Sequence, residues 1–134
     1  MPAPADRTGF RTLTGGPQTG GQDVAFRTLF MAHAPDADCH RHRSVIETGR
    51  YRLHTVVVSS QSEAVEVARS IHEEEGLDAV MLCPGFSHTD VSGIFGALDG
   101  RVSVSVARGD GPSNRITQPV IRREFFPESG PSGP

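Results

Sequence analysis

The chain has 134 residues, a length that indicates a single domain. All 13 of its basic residues are arginine, which excludes mechanisms that need a lysine, such as Schiff-base chemistry, a pyridoxal-phosphate anchor or a phosphate-loop lysine. With no tryptophan, one tyrosine and a net charge of −3, the chain lacks the stacking surface and basic patch of a nucleic-acid-binding protein. The same charge gives no attraction to an anionic membrane.

Cysteine content and hydropathy indicate the compartment. Cys39 and Cys83 can form at most one disulfide bond, far from the framework of a small secreted domain. No apolar run is long enough to span a membrane, and none opens the chain as a secretory signal does. We therefore expect a soluble protein of the cytoplasm.

Glycine and proline concentrate towards both ends of the chain and divide it into three parts. We predict a flexible leader over residues 1–23, an α/β domain over residues 24–108, and a C-terminal arm and tail over residues 109–134. A domain of that size buries only roughly 60–65% of its unfolded surface. A monomer would be marginally stable, so we expect a homo-oligomer.

The first part of the domain predicts a strand followed by a helix. The apolar run of residues 24–33 is typical of a buried parallel strand. Pro35 ends that run, and Asp36 or Asp38 can cap a short helix that ends before Gly49. Three- and four-residue spacings would place four residues on one face of this helix: Cys39, His42, Val45 and Ile46.

The rest of the domain predicts alternating strands and helices. Three further strands are expected at residues 51–59, 78–83 and 102–107. Ser60 and Glu63 form a capping box for the helix that ends at Gly76, and a third helix ends before Gly100. The β-α-β-α-β-α-β order predicts a compact α/β domain with a mostly parallel four-stranded sheet. The carboxyl ends of its strands would meet at one edge, where ligands usually bind.

Beyond the domain, residues 118–126 are too apolar to be only a linker. This segment can form a lid, an extra edge strand, or an arm that reaches a neighbouring subunit. We favour the arm.

Three stretches resemble a small bacterial family of domains of unknown function: Phe30–Asp38, His42–Thr48 and Leu82–Phe86. The resemblance runs from Phe26 to about Ala107 and implies a compact α/β domain of about this length. It implies no particular activity. The usual glycine pair of the family before the phenylalanine is replaced here by Pro84-Gly85.

The loop between the third strand and the third helix is the best candidate for a ligand site. A helix start presents free backbone N–H groups and a positive dipole end to a carboxylate or phosphate. Four residues of this loop are expected to bind substrate: Gly85, Phe86, Ser87 and Thr89. The alternative is an ordinary capped loop, because Ser87 or Thr89 can cap the helix and Asp90 can complete a box with Ser87.

Histidines are the candidate acids and bases. His33 ends the first strand, His88 lies in the candidate loop, and His42 lies on the predicted first helix, where Glu47 can orient an imidazole. For His42 the alternative is a core histidine bonded to a backbone carbonyl, and for His33 a strand end that faces solvent. The remaining three are expected on the surface: His40, His54 and His72.

Arginine, cysteine and metal chemistry complete the candidates. Arg108, at the end of the fourth strand, can bind an anionic substrate or be a solvated edge residue. Cys83 can act as a nucleophile near a helix start, although packing in a strand is the commoner role of such a cysteine. The histidines and cysteines lack the spacing of a zinc site, so we predict no metal site and no cofactor.

These observations favour a small cofactor-independent enzyme at the carboxyl edge of the sheet. It would perform isomerisation, elimination or cyclisation on a small anionic organic molecule, with His33, His42 and His88 as acid/base candidates and Glu47 as their orienting carboxylate. The Gly85–Thr89 loop and Arg108 would bind the anion. Two alternatives remain open: a non-catalytic oligomeric domain for ligand binding or assembly, and a metal-binding protein.

Overall fold

The computed structural model describes residues 25–127, so the predicted leader and the last seven residues of the tail lie outside the described residues. Five strands form one sheet: β1 (Phe26–His33), β2 (Arg43–Glu47), β3 (Tyr51–Val58), β4 (Ala79–Leu82) and β5 (Ser103–Val106). Three helices accompany them: α1 (Gln61–Glu75), α2 (His88–Ala97) and α3 (Gly111–Phe125).

The sheet has the order β2-β3-β1-β4-β5. Four strands are parallel, because β1 pairs in parallel with both β3 and β4, and β4 pairs in parallel with β5. β2 alone runs antiparallel, beside β3 at the edge. The predicted α/β class and its four parallel strands are therefore confirmed, with a fifth strand that makes the sheet mixed.

The predicted first helix is wrong: that segment forms a turn followed by β2. The turn closes where the backbone N–H groups of Arg41 and His42 donate to the Asp38 carbonyl at 3.0 and 2.8 Å. Beyond it, the β-branched pair Val45-Ile46 favours a strand, and β2 pairs with the otherwise unpaired edge of β3. All five β2 residues are exposed, so Val45 and Ile46 of the predicted helix face lie outside the core, whereas Cys39 is buried.

Both crossover helices cover the same face of the sheet. α1 connects β3 to β4 and α2 connects β4 to β5, so the chain moves in one direction across the sheet, and right-handed crossovers then place both helices on one side. The core lies between the sheet and these helices, and its fully buried large side chains include Leu29, Met31, Val58, Val80, Leu82, Phe86 and Ile94. Each such side chain contributes roughly 1.5–3 kcal/mol by leaving water.

The predicted C-terminal arm contains a helix. α3 begins after Asp110, has a proline in its first turn, and has no buried residue. The extra edge strand weighed for residues 118–126 is therefore wrong, whereas contact with a neighbouring subunit remains a prediction. Over residues 25–127, no helix combines the length and the hydropathy that crossing a membrane requires.

Candidate functional site

The carboxyl edge of the sheet gathers the ends of four strands and the starts of three helices. β1, β3, β4 and β5 all end there, and α1, α2 and α3 each begin shortly after one of these strands. Since α/β sheets bind ligands at this edge, the residues that follow the strands are the first place to look for chemistry.

Phe86 positions the first candidate histidine. His33 is the last residue of β1 and is half-buried, and its ring centroid lies 4.2 Å from that of Phe86 with the ring planes tilted by 45°. Phe86 itself is 0% exposed. The buried aromatic ring therefore supports one side of the imidazole and anchors the loop to the core.

Gly85 lies between the His33 side chain and the Cys83 thiol. A Cβ atom built on Gly85 would lie 3.5 Å from Cys83 Sγ and 3.8 Å from His33 Cβ and Cδ2. These are ordinary van der Waals distances, so all three residues line one small region after β4. Cys83 is half-buried and is not in a disulfide bond.

The start of α2 has the predicted capping box. Asp90 N donates to Ser87 Oγ at 3.1 Å, and Ser87 N donates to Asp90 Oδ2 at 3.0 Å. Gln61 Nε2 of α1 donates to the Asp90 carbonyl at 3.0 Å, which holds the starts of the two helices together. Ser87 thus has a structural role, while Thr89 is exposed in the first turn.

Arg108 joins the end of β5 to the same loop. Its Nη1 donates to the Pro84 carbonyl at 3.3 Å, and its Nη2 lies 3.5 Å from His88 Nδ1. Because a guanidinium only donates, this contact favours the His88 tautomer that carries its proton on Nε2. Arg108 and His88 are both exposed, so their remaining polar atoms face solvent.

One five-residue loop, Pro84–His88, therefore connects two of the three predicted histidines with the predicted arginine. His33 contacts it through Phe86, and Arg108 contacts it through Pro84 and His88. We call this group the loop site: His33, Cys83, Pro84–His88 and Arg108.

His42 lies at the same edge but away from the loop site. It follows the turn before β2, separated from β1 by two strand spacings, about 10 Å. It is exposed, and its Nδ1 accepts a hydrogen bond of 2.9 Å from Asp38 N. The Asp38 carboxylate instead accepts from His40 N, and that hydrogen bond lowers the pKa of Asp38.

Glu47 is at the opposite end of β3 from the loop site. Its carboxylate forms an ion pair with Arg52, near the start of β3, and contacts none of the three candidate histidines. The sequence predicts that Glu47 orients an imidazole, and that role requires the helix that the structure replaces with β2. From its actual position at the other end of β3, Glu47 cannot perform this role.

The charged cluster at the amino end of the sheet was missed from the sequence. Glu75, the last residue of α1, accepts a hydrogen bond from Arg52 Nε at 2.7 Å and contacts His54 Nε2 at 3.0 Å. The Arg52 hydrogen bond lowers the pKa of Glu75, and the contact with His54 adds to this effect against the opposing effect of burial. We call these residues the amino-end cluster: Glu47, Arg52, His54 and Glu75.

His54 is buried, so its predicted surface position is wrong. The signal that places it inside is the alternation along β3, since His54, Val56 and Val58 occupy every second position and face the helices together. His72 is half-buried near the end of α1, where its Nδ1 accepts a hydrogen bond from Leu77 N at 3.0 Å.

Within residues 25–127, a cavity lies between α1 and the turn before β2. It is a shallow groove of about 500 Å³, and Cys39, His40 and Arg43 line one side. The opposite side belongs to α1 and is dominated by Glu63, Glu66, Arg69 and Glu73. Charges of both signs line it, which gives no preference for a ligand of either sign.

The described residues offer no metal site. Between residues 25 and 127, no three histidine, cysteine or carboxylate side chains come together as ligands of one ion. The metal-binding alternative therefore gains no support from this part of the chain.

Fold and site together define a two-layer α/β domain with a loop site at the carboxyl edge of its sheet. The chain belongs to a family of unknown function, DUF6506, which it matches over residues 26–120. The match extends beyond Ala107, where the resemblance noted from the sequence stops, and includes most of α3. No curated protein and no solved structure matches the chain significantly.

Proposed function

We propose that the protein is a small cofactor-independent enzyme that moves protons on a small anionic organic molecule bound at the loop site. His33 and His88 are the acid and base, and Arg108 binds the anionic group. The reaction is an isomerisation, elimination or cyclisation. The observation that carries this proposal is the contact of Arg108 with both His88 and the Pro84 carbonyl, beside the loop that also holds His33.

The chemistry follows from the side chains that the loop site offers. An imidazole accepts and donates protons near neutral pH, which suits general acid/base catalysis without a cofactor. A guanidinium has five N–H donors, and the contacts with Pro84 and His88 leave others for a carboxylate or phosphate. A bidentate contact of this kind fixes the orientation of the substrate.

The first turn of α2 supports the same anion. The positive end of its dipole lies beside His88, and the exposed Thr89 follows it. Phe86 keeps the loop in place from the core side. Gly85 permits close approach of a ligand because it carries no side chain there.

Proton exchange with solvent tests the proposal even though the substrate is unidentified. Pools of small carboxylates and phosphate esters would be incubated with the full chain in D₂O, and the loss of C–H signals would be followed by proton NMR. We expect exchange at carbon adjacent to a carbonyl in at least one compound. Binding of an anion without exchange or any other conversion would contradict the enzymatic assignment.

A second candidate is a non-catalytic domain for ligand binding or assembly. The observation that favours it is α3, whose Ile116 is 77% exposed and whose Val120, 45% exposed, lies one turn further along the same face. This candidate predicts tight binding without turnover and a weaker oligomer after deletion of residues 109–134. Light scattering on the truncated chain checks the second point.

We also infer a cytoplasmic location. Cys39 and Cys83 are both free, one in the turn before β2 and the other after β4. Free cysteines are typical of a reducing compartment. Thiol titration of the protein isolated under non-reducing conditions is expected to detect both.

A further inference from the structure

Across the five described strands, the sheet face opposite α1 and α2 carries no charged side chain. Side chains alternate along a strand, so every second residue of each strand belongs to this face. These are the even-numbered residues of 26–32 and 44–46 and the odd-numbered residues of 51–57, 79–81 and 103–105. None of these positions holds Asp, Glu, Arg or His. We call this surface the open face. Its large apolar and aromatic members are Phe26, Phe30, Ile46, Tyr51, Leu53, Val57 and Met81, and its remaining seven members are alanine, serine or threonine.

No helix covers the open face within residues 25–127. Ile46 is 57% exposed, Phe26 47% and Met81 36%. Sheets made of parallel strands are normally covered on both faces, because their strands are apolar on both. An uncovered surface that is uncharged and half made of large apolar or aromatic side chains marks, on a small domain, a contact with another molecule.

The chain itself offers little to cover this surface. α3 has no buried residue, so it does not pack on the sheet. Residues 1–24 contain only four large apolar side chains, Met1, Phe10, Leu13 and Val24, and residues 128–134 contain none. These segments have too few apolar groups for a five-stranded sheet.

We propose that a second copy of this chain covers the open face. An uncharged surface is complementary to itself, because two-fold packing brings no like charges together. The proposal does not depend on the loop site, which lies at an edge of the sheet and not on this face.

Together with α3, the area fits a small dimer interface. Five strands spaced by about 4.8 Å, with lengths of four to eight residues, present roughly 400–500 Å² on one face. One face of α3 adds roughly 200 Å² if it joins the contact, since a helix of that length spans about 22 Å. Together these values reach the lower end of the roughly 600–1,000 Å² that each partner buries in a standard interface.

Two neighbouring residues of β2 provide a matched test. Ile46 faces the open face, whereas Val45, which is 45% exposed, faces the helix side. Ile46→Arg and Val45→Arg therefore place the same charge on the same edge strand but on opposite faces. Met81→Arg, on β4, places the charge nearer the middle of the open face.

Sedimentation equilibrium of the full chain measures the outcome. We expect a wild-type mass of twice the 14.3 kDa chain mass. Ile46→Arg and Met81→Arg should each weaken the dimer, and together by at least about 100-fold, since the dimer would bury unpaired charge. Val45→Arg should dimerise as the wild type does.

Circular dichroism keeps the test independent of folding, because it shows whether each variant retains the secondary structure of the wild type. A wild-type chain that is monomeric at about 100 μM, well above the dissociation constant of a standard interface, would overturn the proposal. A dimer that survives the double substitution would also overturn the proposal. The same holds for a dimer that is lost only when residues 1–24 are deleted.

Discussion

The two ends of the parallel sheet hold their titratable side chains in different ways. At the amino end, Glu75 contacts both Arg52 and the buried His54, and Arg52 also pairs with Glu47. At the carboxyl end, Arg108 lies 3.5 Å from His88, and both side chains are exposed. The first group has its partners within the fold, while the second keeps polar atoms available to a ligand.

This difference separates charges that stabilise the fold from charges that can bind. A buried or half-buried charge without a partner costs several kcal/mol, so the amino-end cluster satisfies its charges internally. The loop site is anchored through apolar and backbone contacts, by Phe86 and the Pro84 carbonyl. Imidazole and guanidinium are both basic and cannot neutralise one another, so the charge of the exposed Arg108 is available to an anion.

The largest expected effect is on turnover at the loop site. His33→Ala and His88→Ala should each lower kcat/KM by roughly 10²–10⁴-fold if the residue is the general acid or base. The measurement is the rate of solvent-proton exchange on the compound identified by NMR. His40→Ala and His42→Ala, whose side chains are exposed outside the loop site, are the controls and should retain the wild-type rate. Wild-type turnover in both loop-site variants would remove the acid/base assignment.

The next effect is on affinity. Arg108→Gln keeps a hydrogen-bonding side chain but removes the charge, and should weaken binding of an anionic substrate by about 10–100-fold, since a hydrogen bond to a charged group contributes roughly 1.5–3 kcal/mol. We expect a raised KM, with a smaller change in kcat. Arg101→Gln, an exposed arginine before β5, is the matched control. Equal effects of the two substitutions would show that overall charge, and not the loop site, attracts the ligand.

The carboxyl edge was predictable because β-α connections leave a clear pattern in sequence. Apolar runs located β1, β3, β4 and β5, and Ser87 with Asp90 located the start of α2. Right-handed crossovers then placed the residues after the strands at one edge. That reasoning reached His33, His88 and Arg108, although it did not give their contacts.

The segment before β3 was not predictable from spacing. A five-residue strand with Val45 and Ile46 in its middle satisfies a helical spacing as readily as a strand pattern, and the pairing with β3 decides between them. The error carried His42 and Glu47 into the predicted site. Sequence also could not pair Glu75 with His54, since they are far apart along the chain and meet only through the packing of α1 on β3.

A moderate effect on stability is expected at the amino-end cluster. Glu75→Gln should lower the free energy of unfolding at pH 7 by about 1–3 kcal/mol, because the hydrogen bonds to Arg52 and His54 lose their charged acceptor. The pKa of Glu75 is lower in the folded protein than its ordinary value of 4.5. The ionised carboxylate therefore stabilises the fold above that value, and this contribution disappears as the pH falls through the lowered pKa.

Urea unfolding across the acid range checks the sign. The difference between wild type and Glu75→Gln should be full at neutral pH and shrink with acidification below about 4.5. Glu74→Gln makes the same charge change at the exposed neighbouring position and should show neither the loss nor the pH dependence. A difference that grows with acidification would contradict the charged hydrogen bond as its cause.

The smallest effect is expected at Glu47, and it separates the two ends of the sheet most directly. Glu47 and Arg52 are an ion pair on the rim of the cluster, and the Glu47 side chain is 56% exposed. Such pairs contribute at most about 1 kcal/mol, so Glu47→Gln should change stability by less than that. It should leave turnover unaltered, because Glu47 and the loop site lie at opposite ends of β3. A tenfold loss of kcat/KM in Glu47→Gln, with the fold intact by circular dichroism, would mean that the two ends of the sheet are coupled. Contacts with partners inside the fold would then not be enough to distinguish structural charges from functional ones.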